Sequence, residues 1–173
     1  DDTITLTGDV ADFLYHSFDA GDGADTLILS DRGINISVTD VETIFGGMGD
    51  DLIIANTVGM IMNTGGGLDT LRLGSNLELD TARFIGNDLI LDVYDTEALN
   101  GGTITIAEQA SNALAYIEFD HDHDGISTIY DVVIGDSDGS SLVDTFYVGT
   151  ENLDRISAGS GNDVIIANEG NDF

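Results

Sequence analysis

A nine-residue unit recurs along this chain, glycine-rich over its first four positions, with Asp at the sixth and an aliphatic residue at the eighth. Its clearest copy is GGMGDDLII, Gly46 to Ile54. AGDGADTLI begins at Ala20, TGGGLDTLR at Thr64, AGSGNDVII at Ala158 and ANEGNDF at Ala167. A weaker copy, GTENLDRIS from Gly149, keeps Asp154 and Ile156 but loses most of its glycines. Gly149, Ala158 and Ala167 follow in steps of nine, and Gly46 and Thr64 lie 18 apart with a decayed unit, ANTVGMIMN, between them. The aliphatic end of each unit suits a very short strand. The residues before it must reverse the chain tightly, which needs positive φ, and glycine supplies that without a Cβ clash. One unit per turn and strand makes two units a full coil, so turns 18 residues apart stack on the same side.

Charge narrows the function. The chain of 173 residues carries 33 Asp plus Glu against 4 Lys plus Arg, a formal charge of −29. The four basic residues are Arg32, Arg72, Arg83 and Arg155. With no basic patch to displace phosphate counterions, nucleic acid is excluded as a partner, and an anionic membrane surface is disfavoured. No apolar run approaches the length of a membrane-spanning helix, so no direct membrane insertion is expected. Ile, Leu, Val and Phe make up about 30% of the residues, well above the roughly 20% below which a highly charged chain fails to fold. The chain therefore buries a core, provided that its charge is compensated. With 0 Cys, disulfides and thiolate metal sites are out, and with 0 Pro and 22 Gly the turns fall to Gly, Asn and Asp.

Tight glycine turns aim carbonyl oxygens inward, and the Asp at position six adds a carboxylate. Calcium, a hard ion taking 6 to 8 oxygens at about 2.3–2.6 Å, suits such a donor set. The unit resembles the RTX, or haemolysin-type, nonapeptide GGxGxDxUx, a calcium-binding β-roll repeat. The resemblance implies Ca²⁺ held between successive turns on a side, with ligands from Asp25; from Gly46, Gly47, Gly49 and Asp51; from Gly65, Gly67 and Asp69; from Asp154; from Gly159, Gly161 and Asp163; and from Gly170 and Asp172. Asp51 and Asp69 are expected to share an ion, as are Asp154 and Asp172. Asp163 lies on the opposite side, with its later partner past residue 173.

Between the repeats the reading is looser. TITLT near the start, then TLILS, INISV and VETIF within 26–45, read as strands, as do GNDLILDV (Gly86 to Val93), GGTITI (Gly101 to Ile106) and YIEF (Tyr116 to Phe119). AEQASNALA (Ala107 to Ala115) has the best helical character of the chain. The expectation is an all-β protein. Parallel β-roll segments at 1–75 and 131–173 flank a small non-repetitive β unit at 76–130 with one short helix. DHDHDG, Asp120 to Gly125, matches the start of an EF-hand loop through Asp120, Asp122 and Asp124, but Asp131 stands where that loop needs Glu and no flanking helices are evident. Three readings stay open there: a calcium turn, a solvated acidic turn, or zinc at His121 and His123. DSDG, Asp136 to Gly139, is a shorter version of the same turn.

No catalytic constellation emerges. There is no HExxH, and His16 beside Ser17 is a sequence neighbour rather than a triad. The expectation is therefore not an enzyme but a calcium-dependent structural module of an extracellular bacterial surface protein of S-layer, filament or adhesin type. The resemblance implies export by type I secretion, and the solenoid ends imply self-association into a surface assembly. The alternative is the calcium-binding secretion and folding module of an exported lipase or protease whose catalytic domain lies outside this chain. ANEGNDF stops at position seven of its unit, which predicts further GGxGxD turns beyond Phe173.

Overall fold

The computed structural model describes residues 1–7, 16–109, 114–120, 127–134, 144–152, 154–170 and 172. The fold is all-β, a parallel roll of two facing sheets. Its first part alternates strictly between them: β1 (Thr3–Thr5), β3 (Thr26–Ile28), β5 (Thr43–Phe45) and β7 (Met60–Asn63) stack in one sheet, here sheet A, while β2 (His16–Asp19), β4 (Asn35–Thr39), β6 (Leu52–Ala55) and β8 (Thr70–Leu73) stack in the other, sheet B. Neighbours are parallel. Leu52 opposes Thr70 and Thr43 opposes Ile61, a step of 18, whereas Asn35 opposes Leu52 and Thr26 opposes Thr43, a step of 17. Side chains alternate in and out with the pleat. Ile36, Val38, Ile53, Leu71 and Leu73 from sheet B meet Leu27, Ile44, Met60 and Met62 from sheet A in one core.

The 76–130 segment extends this stack. β9 (Leu77–Ile85), β10 (Asp88–Asp95) and β11 (Asn100–Ile106) form an antiparallel meander whose last strand pairs parallel with β7. The chain then crosses to sheet B, where β12 (Tyr116–Phe119) pairs parallel with β8. Leu89, Leu91, Ile104, Ile106, Ile117 and Phe119 continue the same hydrophobic core.

The expected short helix is a correction. Among the described residues there is no helix. Ala107–Gln109 form a turn in which Glu108 has φ 56, a left-handed conformation that an α-helix cannot continue. Gln109 closes the connection with its side chain, donating to the Leu114 carbonyl (3.1 Å) and accepting from the Leu114 amide (2.9 Å). Residues 110–113 lie outside the described set.

Beyond β12 the chain reverses. β13 (Thr128–Ile134) is antiparallel to β12; β14 (Thr145–Val148) stacks parallel on β13, Asp131 opposing Thr145, and β15 (Val164–Ile166) stacks parallel on β14 with an 18-residue step. β14 is buried on both faces. Phe146 and Val148 join the common core. Thr145 and Tyr147 point the other way and are also buried, with the Tyr147 hydroxyl donating to the carbonyl of Ala158 (3.1 Å). The second roll thus winds on the far face of sheet B, which becomes a wall shared by both. This arrangement keeps the coil's hand after the strand direction has flipped.

Glycine is obligatory where stacked turns touch. A Cβ on Gly46 would land inside the carbonyl oxygen of Thr64, one coil on, whereas Gly59, at φ 92, has nothing within 4 Å. Gly59→Ala should therefore lose only the backbone term, about 1 kcal/mol. Gly46→Ala must also push two turns apart, for a further 1–3 kcal/mol on the order of an overpacked core. Denaturant unfolding of the two variants checks the order; equal losses would contradict turn-on-turn contact.

Candidate metal centre

Strand direction decides which turns share an edge of the roll. The strands of sheet B in the first roll start at one edge, the first edge, where turns 46–51 and 64–69 lie. The turns at 20–25 and 39–42 precede strands of sheet A and so lie at the second edge. Because β14 and β15 run the opposite way to β12, their C-terminal ends return to the first edge. Turns 149–154 and 167–172 therefore join Asp51 and Asp69 there, while Asp163 precedes β15 at the second edge. Thr150, Glu151, Asn168 and Glu169 accordingly wall a cavity of about 280 Å³ with Arg83, Phe84 and Ile85 at the end of β9.

Each described position-six carboxylate accepts a backbone N–H, from the coil before it in every case but Asp154, whose donor lies in its own turn. Asp69 Oδ1 accepts from Asp51 (2.9 Å), and Asp51 Oδ1 accepts from Ile34 (2.8 Å). Asp51 Oδ2 also takes the amide of Gly47 (3.3 Å) from its own turn. The second roll repeats the pattern: Asp172 Oδ1 accepts from Asp154 (2.9 Å), Asp154 Oδ2 from Thr150 (2.6 Å) and Asp163 Oδ1 from Thr145 (3.0 Å). At the second edge Asp25 Oδ1 accepts from Asp2 (2.5 Å), and Glu42 Oε2 accepts from Asp25 (2.6 Å).

Glu42 was not among the residues expected at the turns. It occupies the repeat's Asp position in TDVET, a turn without glycine, where Asp40 takes the positive φ of 50. Its spacing of 17 from Asp25 is the signal that could have found it.

The carboxylates are costly where they lie. Asp25, Asp51, Asp69 and Asp154 are all buried. Burial pushes the Asp51 carboxyl up to about 6 against the opposing amides of Ile34 and Gly47. Asp69 goes up to about 7, again mainly by burial, with the charges of Asp51 and Asp50 adding to it and the Asp51 amide opposing. Asp40 is raised by burial and by its neighbours Asp19, Glu42 and Asp22. Two arginine ion pairs lie elsewhere, Arg72 with Glu118 (2.7 Å) and Arg83 with Asp92.

At the described turns two carboxylate oxygens, Asp25 Oδ2 and Asp69 Oδ2, are buried with no hydrogen-bond partner, as is Glu118 Oε2 on β12, which has Arg72 beside it. Carbonyls crowd several of the turn contacts: Cβ atoms on Gly47, Gly65 and Gly67 would meet the oxygens of Ser30, Gly47 and Gly49, though one on Gly49 would meet the amide nitrogen of Gly33. Among the described residues no group of three or more His, Asp or Glu side chains converges to hold a metal. The donor set on offer is therefore one or two carboxylates with backbone carbonyls. That fits a hard, oxygen-seeking cation such as calcium and does not fit zinc, which takes nitrogen and sulfur as well.

The remaining expected ligands divide by position. Gly46, Gly47, Gly49, Gly65, Gly67, Gly159, Gly161 and Gly170 lie in turns, those at 65, 67, 159, 161 and 170 with positive φ. Asp120 follows β12 and is half-buried. Asp122, Asp124, His121, His123, the DSDG turn and Phe173 lie outside the described residues. No protein-family model matches the chain, and a search of curated proteins finds no relative.

The raised carboxyls set a pH dependence. A folded-state value of about 6 for Asp51 and about 7 for Asp69, against the ordinary aspartate value of 3.8, means that the folded chain holds more protons than the unfolded one between these values. Stability in chelator should therefore fall as pH rises from about 4 to 7. Asp69→Asn should flatten the upper part of that fall in denaturant titrations. An unchanged slope would contradict the burial of an uncompensated charge at Asp69.

Proposed function

We propose that the chain is a calcium-dependent structural module of an extracellular bacterial surface protein, related to the RTX repeats and exported by type I secretion. The observation that carries this reading is the buried, partnerless Asp69 Oδ2 in a stacked glycine turn. The same feature recurs at Asp25, on the other edge. Asp51 and Asp69, with carbonyls of turns 46–49 and 64–67, would hold one ion; Asp154 and Asp172 would hold another. Bound calcium supplies positive charge inside the turn stack. The residues supply shape: glycines bring the turns into contact, and carboxylates such as Asp51, Asp69 and Asp172 tie their turns to the coil before.

The energetics support a switch. At −29 the chain repels itself when no cation is bound. Extracellular calcium modules bind at about 10⁻⁴–10⁻³ M, and a site with calcium at tenfold its dissociation constant adds about 1.4 kcal/mol. A few such sites sum to several kcal/mol, comparable to the whole stability of a domain. Such a chain is loose where calcium is scarce and rigid where it is abundant, which suits passage through an exporter followed by folding outside. A β-solenoid with no catalytic constellation in its sequence suits a repeating surface assembly.

Circular dichroism in chelator should show a reduced β signal that millimolar calcium restores and equal magnesium does not. Asp69→Asn should raise the calcium midpoint by about tenfold, since ligand charge tunes affinity in such sites. Identical spectra with and without chelator would overturn the reading.

A further inference from the structure

Three local oddities of the β9–β10–β11 meander fall on one spot. Tyr94 on β10 stands outward at 41% exposure on the face of sheet A. Its cross-strand partners are Glu78 on β9 and Gly101 on β11. Beside them the register of β9 against β10 slips, Asp92 opposing Thr81 and Val93 opposing Leu79, so that Asp80 is an extra, bulged residue. Bulges re-aim side chains and gather beside binding sites.

Gly101 is the telling member. Its neighbour Gly102 is required, because a Cβ there would strike the side chain of Val58. Gly101 has no such reason. Its φ is not in the left-handed region, and the nearest atom to an added Cβ is the Val93 carbonyl oxygen at 3.8 Å. A glycine inside a strand weakens it, and one of its uses there is to let a ligand or another backbone approach closely. Here its effect is to leave one side of the Tyr94 ring uncovered.

The result is a trough of two adjoining depressions of about 400 Å³ each, sharing Asp80 and Tyr94. That is the size of small-molecule sites. The floor is an aromatic ring on a rigid sheet. The rim is Glu78, Asp80, Asp92 and Thr103, acceptors apart from one hydroxyl. The nearest arginine, Arg83, is held by Asp92. A ligand here must offer a flat apolar face to the ring and many hydrogen-bond donors to the rim, and must not be an anion. An equatorially substituted pyranose has that shape and chemistry: C–H groups on its faces, hydroxyls around its edge. The two-part trough takes more than one ring.

From this we infer that the outer face of the meander is a saccharide-binding platform, with Tyr94 stacking a pyranose ring and Asp80, Asp92 and Glu78 accepting from its hydroxyls. It is independent of the turn sites.

The test is isothermal titration of the full chain in calcium with cellohexaose and chitohexaose, with spermine as the cationic control. At least one hexasaccharide should bind saturably, about tenfold or more weaker in Tyr94→Ala. Gly101→Val should weaken it as much by covering the ring, and a β-branched residue in an open strand position keeps the fold; unchanged circular dichroism and melting confirm that. In wild-type protein the amides of Asp80, Tyr94 and Gly101 should shift in NMR spectra on adding the sugar, which stands whether or not a variant folds. No binding of either hexasaccharide, equal binding by both variants, or binding of spermine alone would overturn the assignment.

Discussion

The structure depends on a carboxylate buried between two backbone turns. Most position-six Asp residues lie one coil along from the amide they accept, as Asp69 does from Asp51 and Asp51 from Ile34. A hydrogen bond to a charged acceptor is worth more than a neutral one. It does not, by itself, replace the solvation that a buried anion loses. The ladder therefore ties successive coils together and loads them with unbalanced negative charge in the same stroke. Glycine lets the turns close on one another, and closing is what buries the charge. A cation among the turns resolves both at once, and the calcium reading follows from that need as much as from the repeat.

The meander and the reversal at β13 serve this arrangement. By reversing the strands and winding the second coil on the far face of sheet B, the chain returns turns 149–154 and 167–172 to the edge that carries Asp51 and Asp69. The shared wall is β14, with Phe146 and Val148 on one side and Tyr147 on the other. A roll that simply continued would have kept only one hydrophobic layer. The turn stack also walls a cavity against Arg83, Phe84 and Ile85, so the order of the second roll and that of the meander's end depend on each other.

The repeat was legible because it is local. Gly46 to Asp51 must reverse, Leu52 to Ile54 must extend, and the 18-residue spacing carries one turn onto the next. Strands β3, β4, β5, β10, β11 and β12 were visible for the same reason, as runs of alternating residues. What sequence could not supply is direction. Nothing in TIYDVVI distinguishes a strand antiparallel to β12 from one that continues the roll, since its alternation suits either. The helix expected at Ala107 to Ala115 failed because helical propensity there loses to a crossing between sheets, turned by Glu108 and closed by Gln109. Glu42 escaped notice because its turn lacks glycine, Asp40 taking the left-handed position instead. Gly101 reads as a plain strand glycine until its surroundings show that the fold does not require it.

The central claim is that a cation sits against the partnerless oxygen of Asp69. Anomalous diffraction from crystals grown in millimolar calcium tests it most directly. The account predicts a calcium peak about 2.3–2.6 Å from Asp69 Oδ2, with Asp51 and carbonyls of the two adjoining turns completing the shell. Asp69 Oδ2 left to a water molecule or a protein donor, with no calcium peak in the turn stack, would contradict it.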